Sequence, residues 1–358
     1  MRAEETMHLW KGNHAIAEAA LRAGAKLFAG YPITPSTEIL EHLSSRMREE
    51  GRAFIQAESE IAAINIVCGA YAAGNRAFTA TSGVGYSLMQ ETLAYASDAH
   101  LPSVVVNVMR GGRGMGSLES SQDGYRQAVF GGGNGDYRQI VFSPNSIQEA
   151  VDDTYEAFDI AEKYRIGVVI MTEASLGQMM EGIEMPPFRQ NIQKPEWAID
   201  GVKTYDLGFN RQTMDEKRES WTKKIEQIER EMQRYETIGL EDAEYVFVAC
   251  GLPSRTTEDA VKKLRAAGEK VGLLRPKVLY PFPSKAYQMI PRNVKGVITV
   301  ESTDFGMMVR DVALEVHSAF PERHVPIYLY AHGVGIPTTK EILDHYGKIR
   351  SGLEKEAF

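Results

Sequence analysis

Short apolar runs centred near Leu27, Phe54, Phe78, Val105, Ile140 and Val168 recur along the first half of the chain. Between them, apolar residues repeat at helical spacing over segments of about 12 to 18 residues. That alternation predicts an α/β fold built on a doubly wound parallel sheet. The stretch Val104–Met109 is apolar almost throughout, as expected of a strand covered on both faces. The pattern stops after Met180. From Pro186 to about Leu207 the chain carries Pro186, Pro187 and Pro195 and is expected to cross the surface in extended form. Gln212–Tyr235 predicts a charged, largely solvent-facing helix with Ile225, Ile228 and Met232 along its packed side. Strand patterns return at Tyr245–Cys250, Val271–Leu274, Val297–Val300 and Ile327–Tyr330. Helices are expected from Gly251 to about Gly268 and over Met307–Ser318, and Thr338–Lys355 reads as a surface helix or tail. The chain therefore divides into 1–185, a linker and charged helix over 186–240, and a second α/β unit over 241–358.

Two local patterns add chemistry to this frame. Lys26 to Gly30 predicts a strand, and Pro32 and Pro35 restrict the backbone on either side of Ile33-Thr34. Thr34 is expected at the N-cap of a helix continuing through Ser36–Arg48, with Pro35 at its first position. A loop at the carboxyl end of a strand is where α/β sheets bind ligands, although an ordinary capped connection has the same residues. The next strand, Ala53–Gln56, leads to Ser59 as N-cap of a helix running to about Ala73. On that helix Glu60 shares a face with Ala63, Ile64, Val67, Cys68 and Tyr71. A carboxylate on an apolar stripe is costly unless something binds it; its place in the first turn offsets part of that cost, so capping alone is the competing account. Glu58, just outside the helix, is expected to be solvated. Ser82-Gly83-Val84-Gly85 follows the strand Ala77–Thr81 and opens a helix, a turn that serves either tight packing or contact with a cofactor or partner loop. The glycine runs at 112–116 and 131–135 lack dinucleotide spacing, and no phosphate-binding loop occurs.

Several stretches together carry a resemblance: Tyr31-Pro32-Ile33-Thr34-Pro35-Ser36, Ser59-Glu60 with Cys68-Gly69-Ala70, Val106-Asn107-Val108-Met109-Arg110-Gly111-Gly112, Ser121-Gln122-Asp123, residues 131–137, Leu176-Gly177-Gln178-Met179-Met180, Leu274-Arg275-Pro276-Lys277 and Pro281-Phe282-Pro283. The chain resembles the alpha subunit of 2-oxoacid:ferredoxin oxidoreductases, thiamine-diphosphate enzymes that oxidatively decarboxylate 2-oxo acids onto coenzyme A. The likeness extends over most of the chain. It implies a pyrimidine-type thiamine-diphosphate-binding domain over 1–185 and a transketolase C-terminal-like domain over 241–358, the latter serving packing and assembly without a catalytic residue. It places Glu60 where a carboxylate hydrogen-bonds the aminopyrimidine N1′, with Tyr31, Pro32 and Ile33 also at the cofactor. Thr34 falls where the family contacts the substrate carboxylate or keto oxygen, and Arg110 where an arginine anchors that carboxylate. Read from the residues alone, Arg110 at a strand end could equally be solvated. Arg113 departs from the proline expected there; an extra cation would suit a dicarboxylate or face solvent. The 2-oxoisovalerate branch resembles the chain most, the 2-oxoglutarate branch next, and a non-catalytic structural partner of the same fold is the remaining alternative.

What the chain lacks bears on its partners. Gly135-Asp136-Tyr137 has neither the second glycine nor the asparagine that the family uses to hold the diphosphate through a divalent cation, so the resemblance implies that site and its Mg2+ on a beta subunit. Iron–sulfur clusters are held by sets of cysteine thiolates. The two cysteines, Cys68 and Cys250, are far apart in apolar segments, so a [4Fe-4S] cluster is likewise expected on partner chains. Gamma and ferredoxin-like delta subunits, with ferredoxin as acceptor, complete the expected assembly. A chain of 358 residues with 43% hydrophobic content can bury two cores. Its net charge of −8 argues against general affinity for nucleic acid. The eight histidines show no metal-ligand spacing, so no metal of its own is expected. No apolar run approaches membrane-spanning length and Met1–Lys11 lacks a signal-peptide core. With so few cysteines, a reducing cytoplasm is the expected compartment.

Overall fold

The apolar run at residues 103–109 becomes a central strand of the larger sheet, and every residue of it is buried. The computed structural model describes residues 7–199 and 214–358. In chain order, β1 (His8–Lys11) runs directly into α1 (Gly12–Arg22). β2 (Leu27–Gly30), α2 (Thr37–Glu49), β3 (Ala53–Gln56), α3 (Glu60–Ala72) and β4 (Ala77–Thr81) follow. Two short helices, α4 (Val84–Leu88) and α5 (Gln90–Asp98), lead to β5 (Ser103–Met109). Next come α6 (Tyr125–Phe130), β6 (Ile140–Phe142), α7 (Ile147–Tyr164), β7 (Gly167–Glu173), α8 (Ala174–Gln178) and β8 (Met180–Ile183). No helix or strand occupies 186–199. The rest of the expected extended segment, to Leu207, lies outside the described residues, as do Gln212 and Thr213 at the expected start of the charged helix.

That helix is α9 (Met214–Glu231), and its apolar side is buried at Ile228. It stops short of Tyr235, which opens a strand instead. The remainder holds β9 (Tyr235–Ile238), β10 (Tyr245–Val248), α10 (Gly251–Ala266), β11 (Val271–Pro276), β12 (Val278–Tyr280) and α11 (Ser284–Tyr287). β13 (Gly296–Glu301), α12 (Val309–Ala319), β14 (Ile327–Ala331) and α13 (Thr339–Arg350) end the chain.

The larger sheet has seven strands in the order β12-β6-β7-β5-β4-β2-β3. Its pairings are parallel except at β12, which lies antiparallel on β6. β3 lies on one side of β2 and β4 on the other, so the winding direction reverses there. Open α/β sheets form their ligand crevice at such a reversal, beyond the carboxyl ends of the strands. A second sheet, β14-β13-β10-β11-β9, is parallel apart from β9, and β1 and β8 form a separate antiparallel pair. Neither β9 nor β12 shows in the sequence pattern. α13 is more than a surface tail. Thr338 caps it with Glu341 in a reciprocal box, and Ile342, Tyr346 and Ile349 pack into the core around Phe247 and Ile298.

The two units are joined by buried polar contacts rather than by chain connectivity alone. Arg275 on β11 holds Glu149 on α7 by two parallel bonds of 2.8 and 2.6 Å. Burial pushes the Glu149 carboxyl up, but bonds from Arg275 and Lys277 outweigh this and hold it at about 2. Gln122, between β5 and α6, donates its backbone N–H to the Ser302 carbonyl at 2.8 Å, while its side-chain oxygen accepts from the Ser302 N–H at 3.1 Å. The 120–123 segment is thus pinned to the loop after β13.

Candidate functional site

Three sequence-predicted residues come together beyond the carboxyl ends of β2, β4 and β5. Ser59 caps α3, accepting the Ala62 N–H at 3.2 Å, and so sets Glu60 in the first turn. Glu60 is only 4% exposed. Its carboxylate has no hydrogen-bond or ion-pair partner among the described residues. Glu58 is exposed, as expected. Arg110, at the end of β5, is also buried, at 8% exposure. Its Nη1 donates to the Thr34 carbonyl at 2.8 Å, while its Nε is buried without a partner among the described residues. A buried charge without satisfied donors or acceptors is a costly arrangement for a protein to keep unless a ligand completes it.

What separates the two charged groups is a turn of glycines. Gly83 has φ of +48°, and a Cβ there would stand 3.2 Å from Arg110 Nε. A Cβ on Gly85 would stand 2.4 Å from Glu60 Oε1 and 2.2 Å from Thr81 Oγ1. The carboxylate and the guanidinium therefore flank one backbone turn in which Gly85 leaves no room for a side chain and Gly83 holds a left-handed backbone that favours glycine. Spacing alone offered the alternatives of tight packing or ligand contact for this turn. The available signal was its position directly after a strand, next to a switch in strand order that only the assembled sheet reveals.

The Pro32-Ile33-Thr34-Pro35 turn differs from expectation at its helix. Ser36, not Thr34, precedes α2, and Pro35 lies outside the helix. The reason is a closed turn ahead of it: both the Ser36 N–H, at 2.9 Å, and the Ser36 hydroxyl, at 2.8 Å, donate to the Ile33 carbonyl. Thr34 is consequently exposed, with its side chain released from capping. Tyr31 and Pro32 are exposed and Ile33 half-buried on the same turn.

Two clefts border this constellation. A cavity of about 650 Å³ is lined by Thr34, Glu38, Glu119, Ser120, Ser175 and Gln178, among others. A second, of about 330 Å³, lies between the 83–87 turn, Arg110 and the 112–114 loop on one side and residues 304–307 of the second unit on the other. Tyr31, Pro32, Ile33 and Glu60 line neither; Glu60 sits behind Gly85. Arg113 is well exposed and paired with Asp304 at 2.8 Å. Cys68 and Cys250 are both buried free thiols, each pushed up to about 12 by burial. No helix among the described residues is long and apolar enough to cross a membrane.

Comparison with known proteins matches residues 18–246 to the family described as pyruvate flavodoxin/ferredoxin oxidoreductase, thiamine diphosphate-binding. Residues 243–342 match pyruvate:ferredoxin oxidoreductase core domain II. The ketoisovalerate oxidoreductase subunit VorB of Methanothermobacter marburgensis is 44% identical over 314 residues, covering 85% of this chain and 88% of that one. The 2-oxoglutarate synthase subunit KorA of Methanocaldococcus jannaschii is 37% identical over 321 residues, covering 81% and 87%. Among solved structures, the 2-oxoglutarate:ferredoxin oxidoreductase of Magnetococcus marinus, determined with 2-oxoglutarate, coenzyme A and succinyl-CoA bound, superposes with a TM-score of 0.82 at 26% identity. That match covers 96% of this chain but 65% of the other.

Proposed function

We propose, from the premise that this chain belongs to the 2-oxoacid:ferredoxin oxidoreductase family, that it is the alpha subunit that selects the 2-oxo acid and activates thiamine diphosphate for its decarboxylation. The carrying observation is the pair of buried, incompletely partnered charges, Glu60 and Arg110, set against Gly85 and Gly83 with Thr34 bonded to the latter cation.

These residues fit the cofactor. A buried carboxylate lacking a protein partner among the described residues is what an aminopyrimidine N1′ requires of its hydrogen-bonding group, and Gly85 leaves the approach to it free of side chain. Thiamine diphosphate, when bound, supplies the electron sink for loss of carbon dioxide. Glu60 would hold the N1′ and favour the imino tautomer by a charge-assisted bond. Arg110 offers its unpartnered Nε to the substrate carboxylate, and its bond to the Thr34 carbonyl fixes the guanidinium plane. The exposed Thr34 hydroxyl meets the carboxylate or keto oxygen. Tyr31, Pro32 and Ile33 form the cofactor side of that turn.

The preferred substrate is a branched 2-oxo acid such as 2-oxoisovalerate, whose acyl group, after loss of carbon dioxide, coenzyme A receives as the thioester while the electrons released pass to ferredoxin. Support comes from the VorB relative and from the engagement of Arg113 by Asp304. The KorA relative favours 2-oxoglutarate as the second reading. Partner chains hold the diphosphate, its Mg2+ and the [4Fe-4S] clusters: a beta subunit, with gamma and delta subunits beside it. The two buried thiols suit the reducing cytoplasm.

The test is Glu60→Ala in the assembled complex, assayed with a viologen acceptor, coenzyme A and a panel of 2-oxo acids. Loss of general acid–base help of this kind lowers kcat by ~10³-fold or more, with complex and folding retained. Survival of most activity would move the role to another carboxylate or chain and leave a structural partner as the better description.

A further inference from the structure

The second unit is expected to contribute only packing, yet it supplies one wall of the smaller cleft. Residues 304–307 face Arg110 and the 112–114 loop across about 330 Å³. We propose that this turn selects the side chain of the 2-oxo acid: Phe305 provides its apolar contact, and Asp304 withholds Arg113 from the substrate. The proposal rests on the reading of Arg110 as carboxylate anchor.

The turn is built to a fixed shape. Glu301, buried at the end of β13, accepts the N–H groups of Met307 at 2.6 Å, Met308 at 3.0 Å and Val309 at 2.7 Å. The Thr303 hydroxyl accepts the Gly306 N–H at 3.0 Å, and Gly306 takes φ of +76°, a conformation suited to glycine. At the other end, Ser302 is bonded through both backbone groups to Gln122. A segment tied at both ends holds Phe305 out at the cleft with 79% of its surface exposed. Among the described residues no core packing accounts for a large aromatic ring in that position. An apolar ligand group placed against it would remove that surface from water.

Charge sorts the same cleft. Arg113 reaches Asp304 at 2.8 Å and lies 5.4 Å from the centre of the Phe305 ring. Its charge is thus answered by the second unit, while Arg110 keeps a buried Nε with no partner. The cleft consequently presents one guanidinium for one carboxylate, beside an aromatic face. A substrate with a second carboxylate would have to displace Asp304 and would lay its far end against Phe305. A short branched aliphatic side chain meets neither obstacle. The cleft volume falls at the small end of ligand sites.

The experiment uses the assembled complex and kcat/KM for 2-oxoisovalerate, pyruvate and 2-oxoglutarate. Phe305→Ala is expected to lower the 2-oxoisovalerate-to-pyruvate ratio by ~10- to 100-fold, the range for losing apolar contact in a specificity pocket. The loss should fall mainly on KM, and Phe305→Leu should restore most of the ratio. Asp304→Asn is expected to raise the 2-oxoglutarate-to-2-oxoisovalerate ratio about tenfold, the worth of one ion pair between Arg113 and the second carboxylate. Ratios unmoved within about twofold in both variants, where differential transition-state binding is read directly, would overturn the proposal. So would loss of partner subunits from the Phe305→Ala complex, which would make the ring an assembly contact. A wild-type complex that prefers 2-oxoglutarate refutes the substrate assignment separately, because it leaves the direction of the ratio changes to decide the wall.

Discussion

Gly85→Ala asks whether the position of the Glu60 carboxylate, rather than its presence, sets the rate. The added Cβ would lie 2.4 Å from Glu60 Oε1 and 2.2 Å from Thr81 Oγ1. Ordinary contact is about 3.5 Å, so the carboxylate must retreat by about 1 Å. It can do so cheaply in folding terms, since it is the free end of a flexible side chain with no protein bond to break. The helix itself gains up to ~1 kcal/mol from alanine over glycine, against ~1–3 kcal/mol of crowding at Thr81. Folding stability should therefore change by no more than about 2 kcal/mol. Catalysis is less tolerant: a displacement near 1 Å costs about 10²-fold, or ~2.7 kcal/mol of barrier. The assay pairs kcat of the assembled complex with its melting temperature and with calorimetric binding of thiamine diphosphate. The expected signature is a hundredfold slower enzyme, at about that scale, with near-normal melting and partner retention. Gly85→Ala retaining a third or more of wild-type turnover, roughly below the resolution of such an effect, would show that Glu60 needs no such placement and would refute the reasoning.

Two further outcomes follow from buried carboxyl groups. Glu173, at the end of β7, is fully buried beside Gln122 and the Leu252 N–H, and burial pushes its carboxyl up to about 8. The native state then keeps a proton that the unfolded chain releases above its ordinary value of 4.5, so stability contributed at low pH is lost as pH rises towards 8. Glu173→Gln should flatten this slope, at most about 1.4 kcal/mol per pH unit; melting curves of the complex between pH 5 and 8 that stay parallel for both proteins would refute it. Arg275→Ala leaves the partly buried Glu149 carboxylate with Lys277 at 2.8 Å but without its bidentate partner, which should cost about 1.5–3 kcal/mol. Chemical denaturation measures that loss, and a change below about 1 kcal/mol, the scale of an exposed pair, would show the junction between units to be held elsewhere.

The strand and helix alternation of the first unit was legible because period-2 and period-3.6 patterns act over neighbouring residues. Ser59 as a cap and Glu60 on an apolar face were readable for the same reason. The helix start at Ser36 was not, since the Ile33–Ser36 turn competes with capping by Thr34 through bonds that the residue types alone do not rank. β12 was hidden by its brevity: three residues become a strand only because β6 offers an open edge.

Sequence by itself determined which chemical groups exist and on which kind of element each stands: a hydroxyl on a turn, a carboxylate in a first helical turn, an arginine after a buried strand. Tertiary structure alone decided that Arg110 bonds Thr34 across 76 positions of chain and that Arg113 is answered by Asp304 across 191. It also decided that Gly83 and Gly85 must lack side chains. The physical reason is that such contacts depend on which strands become neighbours and how two sheets are pinned together, a collective result of core packing that no local pattern encodes.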